Sequence, residues 1–204
     1  MSSRAPKGLT LDRVIRAATT ELNAVGLDAL SLRAVARRLD VQAPALYWYV
    51  KDKGELLNAV GTELWRPAID AAVEAAAARP VSSRAVTLAY ARALRAAISS
   101  CRDGARLLGG TRLEDAGLLE SMEEPLAAWA VGGGDLDGFV TLIQTAQHAT
   151  IGFCLSEQLA ATPEELEARS ARLDSSPHVA AIGEPTIGPA DVRFEAMLHL
   201  IVGE

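Results

Sequence analysis

The chain has 204 residues, half of them hydrophobic but only 4% aromatic, and a formal net charge of −6. That is enough apolar material for one core or two small ones without a metal or a disulfide. It excludes two classes at once: no apolar run reaches the roughly eighteen residues of a membrane span, and MSSRAPKG lacks the apolar segment of a secretory leader, so a cytoplasmic protein is expected. Ala and Leu dominate the apolar content and no run alternates β-branched residues, which predicts an all-α fold.

Residues 1–8 read as a mobile polar arm carrying Arg4 and Lys7. From Leu11 the apolar positions Val14, Ile15, Ala18 and Leu22 follow helical spacing, with Thr10 as N-cap and Gly26 as stop. Ser31 caps a second helix whose inner face is Leu32, Val35, Ala36 and Leu39. Asp40 takes the turn, because its short polar side chain tolerates the left-handed conformation better than a β-branched residue does. Val41 points back to the core, and Pro44 opens a third short helix, where its missing N–H is not needed. Asp52 and Glu55 are spaced as a capping box and begin a long helix to about Ala78, which Pro67 should kink or divide.

Beyond Pro80 the pattern predicts helices over 83–100, near Asp103–Leu108 up to Gly109-Gly110, over 115–130, and from Leu136 to about Leu159. Gly132–Gly134 is a break. The stretch 173–188, rich in Ser, Pro and Gly, reads as a mobile loop, with a short helix from Pro163 before it and a last helix after Pro189. Cys101 and Cys154 lie far apart inside helical patterns and read as reduced core thiols. The fold class is therefore an N-terminal three-helix helix-turn-helix domain, residues 1–53, plus a helical body, residues 54–204. The connecting helix, at about 53–78, joins them.

Charge is divided along the same line. Residues 1–53 hold nine Lys/Arg against five Asp/Glu, and the remainder eleven against twenty-one. A basic head on an acidic body suits a head that meets phosphates. The stretch SLRAVARRLDVQAPALYWYVKDK (31–53) packs a helix, a turn and a second helix into the length of a DNA-reading helix-turn-helix. With Leu46 and Val50 facing inward, Ala43, Pro44, Ala45, Tyr47, Trp48 and Tyr49 are left for the surface and rim. Gln42 matches an adenine edge and Ala45 a thymine methyl. The tyrosine hydroxyls, Ser31, Arg33, Lys51 and Lys53 stand where phosphates would pass, the last two beside a helix N-terminus.

SLRAVARRLDVQAPALYWYVKDKGELLNAV resembles the DNA-binding head of the TetR family of bacterial repressors, and LYWYVKDKGELL resembles its tetracycline-repressor branch. CRDGARLLGGTR (101–112) and QHATIGFCLSEQ (147–158) are similar to that branch's ligand-domain segments, in the same order. The resemblance implies an all-helical homodimer on a palindromic double-stranded operator, with an effector pocket in each body. Onto this chain it places the pocket at Tyr90, Leu94, Leu108, Thr111, Arg112, Trp129, His148 and Phe153.

In that branch a histidine three residues before the Thr-Arg pair ligates the drug's magnesium. Here Thr111-Arg112 is kept and the matching position is Leu108. Tyr90 stands where the branch has a drug-binding asparagine, and Ser156 where it has an acidic residue, with Glu157 next to it. A leucine cannot ligate a hard cation. The implied effector is therefore a small organic molecule without a metal, and no cofactor is expected.

Three histidines (His148, His178 and His199) and scattered carboxylates form no HExxH, P-loop, GxGxxG or GxSxG pattern, so an enzyme is not expected. The remaining alternative is a helical adaptor without DNA affinity. Helices 136–159 and 189–203 carry enough apolar positions to bury one face internally and another against a second copy.

Overall fold

The computed structural model describes residues 8–78, 80–112, 115–131, 133–159, 164–165, 167–168 and 189–203. The arm at 1–7, Pro163, and the 173–188 stretch with His178 lie outside the described residues. Helix α1 runs Leu11–Val25, α2 Leu32–Arg38, and α3 Lys53–Ala76, with a short 3-10 helix over Ala43–Trp48 between α2 and α3. The body adds α4 (Ser83–Ser99), α5 (Gly104–Gly110), α6 (Ala116–Glu120), α7 (Glu123–Val131), α8 (Leu136–Gln158) and α9 (Ala190–Val202). No strand occurs among the described residues.

The helix starts are local side-chain chemistry. Thr10, Ser31 and Asp52 each accept the backbone N–H three residues on, satisfying one of the donors a helix start leaves free. Glu55 answers Asp52 as expected of a capping box, but its carboxylate takes the N–H of Lys51, one residue earlier than the usual partner. Asp40 adopts φ 54°, and the following N–H of Val41 returns to the Ala36 carbonyl at 3.0 Å, closing the turn.

Four expectations change. The Ala43–Trp48 segment is 3-10, not α: after Pro44 there is room for only two turns before Asp52 restarts the chain, and the tighter winding fits that length. Pro67 lies inside α3 without dividing it, so the Glu63 carbonyl loses its helical donor while the helix stays continuous. The 115–130 region is two helices broken at Ser121-Met122. Gly109 and Gly110 complete α5 instead of stopping it.

One core joins α1, α2, the 3-10 helix and the start of α3, and it is completed from the body by Cys101 and Leu107. A second core gathers α3, α4, α5 and α8 around Trp65, Tyr90, Leu94 and Leu108. A third, smaller one joins α4, α8 and α9 through Ala91, Ala146, Phe194 and Leu198. Both cysteines are free and buried, and burial raises both thiols, Cys154 to about 11. They are therefore inert thiols of the core.

Candidate DNA-reading head and effector chamber

In the head, Leu46 and Val50 are buried and hold the 3-10 helix against α1 and α2. Tyr47 and Trp48 consequently face outward, 57% and 56% exposed, a large apolar investment that the head's own packing does not use. Around them Gln42, Pro44, Arg33 and Arg37 are exposed, and Ala43 and Ala45 half-buried. Ser31 Oγ caps α2 at 3.2 Å from Ala34 N, which leaves its own hydrogen free to donate. Lys51 extends into solvent, 3.8 Å from Glu55.

Two predicted contacts are spent elsewhere. The Tyr49 hydroxyl donates to the Leu9 carbonyl at 2.7 Å, pinning the end of the 3-10 helix to the start of α1. Lys53 Nζ donates to the Leu27 carbonyl at 3.0 Å, tying α3 to the α1–α2 loop. Arg37 is an addition, a basic residue in the last turn of α2 that motif and spacing do not single out. In the structure it is exposed beside the turn, whereas its neighbour Arg38 donates twice to Glu21 Oε2, at 2.9 and 2.7 Å.

In the body, Tyr90, Leu94 and Leu108 are buried together, and Trp129 packs against them with its ring 5.6 Å from Phe139. The Tyr90 hydroxyl donates to Gln147 Oε1 at 2.7 Å. Burial pushes this phenol well above its ordinary pKa, against a smaller opposing pull from Trp65 beside it. The Tyr90 phenol is thus neutral at physiological pH.

The other predicted pocket residues are not brought to this core. Phe153 belongs to the third core, 5.2 Å from Phe194 and between the guanidinium groups of Arg95 and Arg193. His148 is exposed on α8 and Arg112 is exposed after α5. Thr111 turns its hydroxyl onto α3 at Gly61, where a Cβ would come within 2.6 Å of it. Sequence reading missed Trp65 and Gln147, because each stands in an apolar helical stripe that reads as ordinary core.

Head and body are joined by hydrogen bonds from the start of α5. Asp103, in a left-handed conformation at φ 57°, accepts the Leu27 N–H at 2.8 Å. Arg102 donates its backbone N–H to Asn23 at 2.8 Å and its guanidinium to the Ala24 carbonyl at 3.0 Å. Arg106 grips Asp28 through two contacts of 2.9 and 3.2 Å. Gly26, at φ 82°, lets the two parts meet: a Cβ there would lie 3.0 Å from Asp103 Oδ2.

A magnesium–tetracycline chelate does not fit these residues. Leu108 is buried and apolar, and the Tyr90 hydroxyl is given to Gln147. Ser156 turns its hydroxyl to its own helix at Gly152, and Glu157 is bound by Arg95 at 2.9 Å.

A helix-turn-helix head with exposed aromatics, joined by one long helix to an all-helical body, defines a DNA-binding transcription regulator. Residues 14–60 match the family model "Bacterial regulatory proteins, tetR family", and residues 80–203 match "Tetracyclin repressor-like, C-terminal domain". The chain belongs to the TetR family.

The class A tetracycline repressor from transposon 1721 of Escherichia coli is 33% identical over 194 residues, 93% of this chain and 87% of that one. A possible TetR family regulator from Streptomyces coelicolor A3(2) superposes with a TM-score of 0.77 at 30% identity, covering 95% of this chain and 97% of that one. ActR of Streptomyces coelicolor, solved with (S)-DNPA, superposes with a TM-score of 0.78 at 25% identity, covering 95% of each chain. The protein is a DNA-binding, ligand-responsive transcriptional repressor. No helix among the described residues is long and apolar enough to cross a membrane.

Proposed function

We propose that the chain works as a cytoplasmic homodimer that occupies a palindromic operator and leaves it when a small organic effector enters the Tyr90–Leu94–Leu108–Trp129 core. The head, residues 1–53, reads DNA through Ser31, Arg33, Arg37, Gln42, Ala43, Pro44, Ala45, Tyr47, Trp48 and Lys51. Tyr49 and Lys53 hold that surface in place. The observation that carries this reading is the Tyr47–Trp48 pair, more than half exposed on a helix whose opposite face is fully buried. Two such heads must stand about 34–36 Å apart to enter successive major grooves.

The dimer surface assigned is α8 with α9. Val140 on α8 and Val192 and Leu200 on α9 are exposed apolar side chains, on helices whose other faces are buried within the subunit. The effector acts by moving α5, whose first turn is bonded to the head and whose C-cap, Thr111, packs on α3. To release DNA it must bind the released arrangement more tightly than the operator-bound one.

Fluorescence anisotropy on the DNA upstream of the protein's own gene tests the head. Arg33→Ala and Tyr47→Ala should each weaken binding by about 1–3 kcal/mol, and Arg33→Ala should also reduce the salt slope by about one. Full affinity in both variants, with unchanged thermal stability, refutes the assigned face.

A further inference from the structure

We propose that the effector is an uncharged, flat aromatic molecule, anchored by a carbonyl-type acceptor on the indole N–H of Trp65. The proposal rests on the chamber assigned above and names the chemistry of its ligand.

Trp65 is 5% exposed, and its Nε1 has no hydrogen-bond partner among the described residues. The Tyr90 hydroxyl oxygen feels the indole N–H, which slightly offsets the effect of burial on the phenol, but the pair does not complete a hydrogen bond, and the phenol's own hydrogen goes to Gln147. A buried N–H without an acceptor is destabilising, and native structures keep few of them without a reason.

Two further buried hydroxyls, outside this core, share the condition among the described residues. Thr111 Oγ1 sits at Gly61, one turn before Trp65 on α3, and Thr150 Oγ1 one turn after Gln147 on α8; neither has a partner. In the chamber itself the Trp65 N–H is the hydrogen-bonding group that its own residues leave unused.

Shape and charge narrow the ligand. Of the chain's nine aromatic residues, Trp65, Tyr90 and Phe139 are buried in this one cluster and Trp129 packs on it. Aromatic faces grouped this way complement a flat ring system. Among the described residues the buried polar side chains are Thr87 and Thr150, and no charged side chain is buried. A charged ligand would enter without a counter-ion, which burial strongly disfavours.

A matched set of probes isolates each element: 9-fluorenone (flat, neutral, one carbonyl), fluorene (the same rings without an acceptor) and 9-fluorenone-2-carboxylate (the same carbonyl with a charge). Binding is followed by calorimetry and by the ¹⁵N–¹H resonances of the three indoles. Fluorenone should bind about tenfold more tightly than fluorene or the carboxylate, and it should move the Trp65 indole resonance downfield. Exposed Trp48, in the head, should stay in place. In Trp65→Phe the preference for fluorenone over fluorene should vanish while fluorene binding persists.

Equal binding of fluorenone and fluorene, no binding of fluorenone, or an unmoved Trp65 resonance overturns the proposal. The resonance is read on the unaltered protein, so it decides even where the variant misfolds. Failure of the chamber itself looks different. In that case compounds that release the operator would bind without disturbing any resonance of α3, α4 or α8.

Discussion

Removing the Asp103 carboxylate is the sharpest probe of how the body holds the head. Its Oδ2 accepts the Leu27 N–H at 2.8 Å, with the Asp103 side chain only a quarter exposed. A hydrogen bond to a charged acceptor in such a place contributes about 1.5–3 kcal/mol. Asp103→Ala also loses a residue that tolerates φ 57°. With about 2 kcal/mol lost locally, the Leu27 amide should exchange ~30-fold faster by native-state hydrogen exchange. The increase should spread to the C-terminal turn of α1, where Arg102 holds Asn23 and Ala24. Asp103→Asn keeps an acceptor oxygen and a side chain suited to the turn, so its effect should be several-fold smaller.

Operator affinity should fall in Asp103→Ala with an unchanged salt dependence, because no phosphate contact is removed. A changed slope would place Asp103 at the DNA surface. A Leu27 amide that accelerates less than threefold would mean the joint is held elsewhere, and either result refutes the reasoning.

Tyr49→Phe should cost about 1 kcal/mol in urea melts, for the lost bond to Leu9, while Tyr47→Phe should leave stability unchanged and weaken only DNA binding. Leu108→Ala should cost about 3 kcal/mol as a cavity in the second core, read from the same melts. The Arg106 hydrogen bond, and then its charge, holds the Asp28 carboxylate below its ordinary pKa. Its contribution is therefore complete above the unfolded value of about 3.9 and is lost only as pH falls through the lower folded value. The Asp28 ¹³C carboxyl signal should be flat from neutral pH down to about 5, and a titration near neutrality would contradict this.

The head was legible because its instructions are local. Thr10, Ser31 and Asp52 cap within three residues, and Asp40 turns the chain on its own φ. What local reading cannot supply is where a long side chain finds its partner. Tyr49 and Lys53 fit a DNA surface by position, yet they bond to Leu9 and Leu27, 40 and 26 residues away.

The body resisted for a second reason. Helix α8 is apolar on more than one side, so periodicity places Phe139, Cys154 and Phe153 on helical faces without saying which core each joins. The structure sends Phe139 and Cys154 to the second core, Phe153 to the third, and His148 outward. Trp65 shows the converse. Its spacing is that of a core residue and its burial agrees, and only the missing acceptor distinguishes it.

These placements bear directly on the proposed switch. Helix α5 is fixed at its first turn to the head through Asp103 and Arg106, and at its C-cap to α3 through Thr111 against Gly61. Between these fixed ends Leu108 is buried in the second core, while Gly109 and Gly110 are exposed, with open space where a Cβ would stand. A displacement at Leu108 therefore has one soft place to be absorbed and two rigid connections to act on. Trp65 and Gly61 lie one turn apart on α3, and Lys53, which holds Leu27, begins that helix about 18 Å away along its axis. A ligand gripped by Trp65 would act on the head along α3 and along α5 at once. Substituting Ala at both Gly109 and Gly110 should stiffen α5 without a clash. The switch predicts that this variant keeps its operator affinity and loses part of its response to effector.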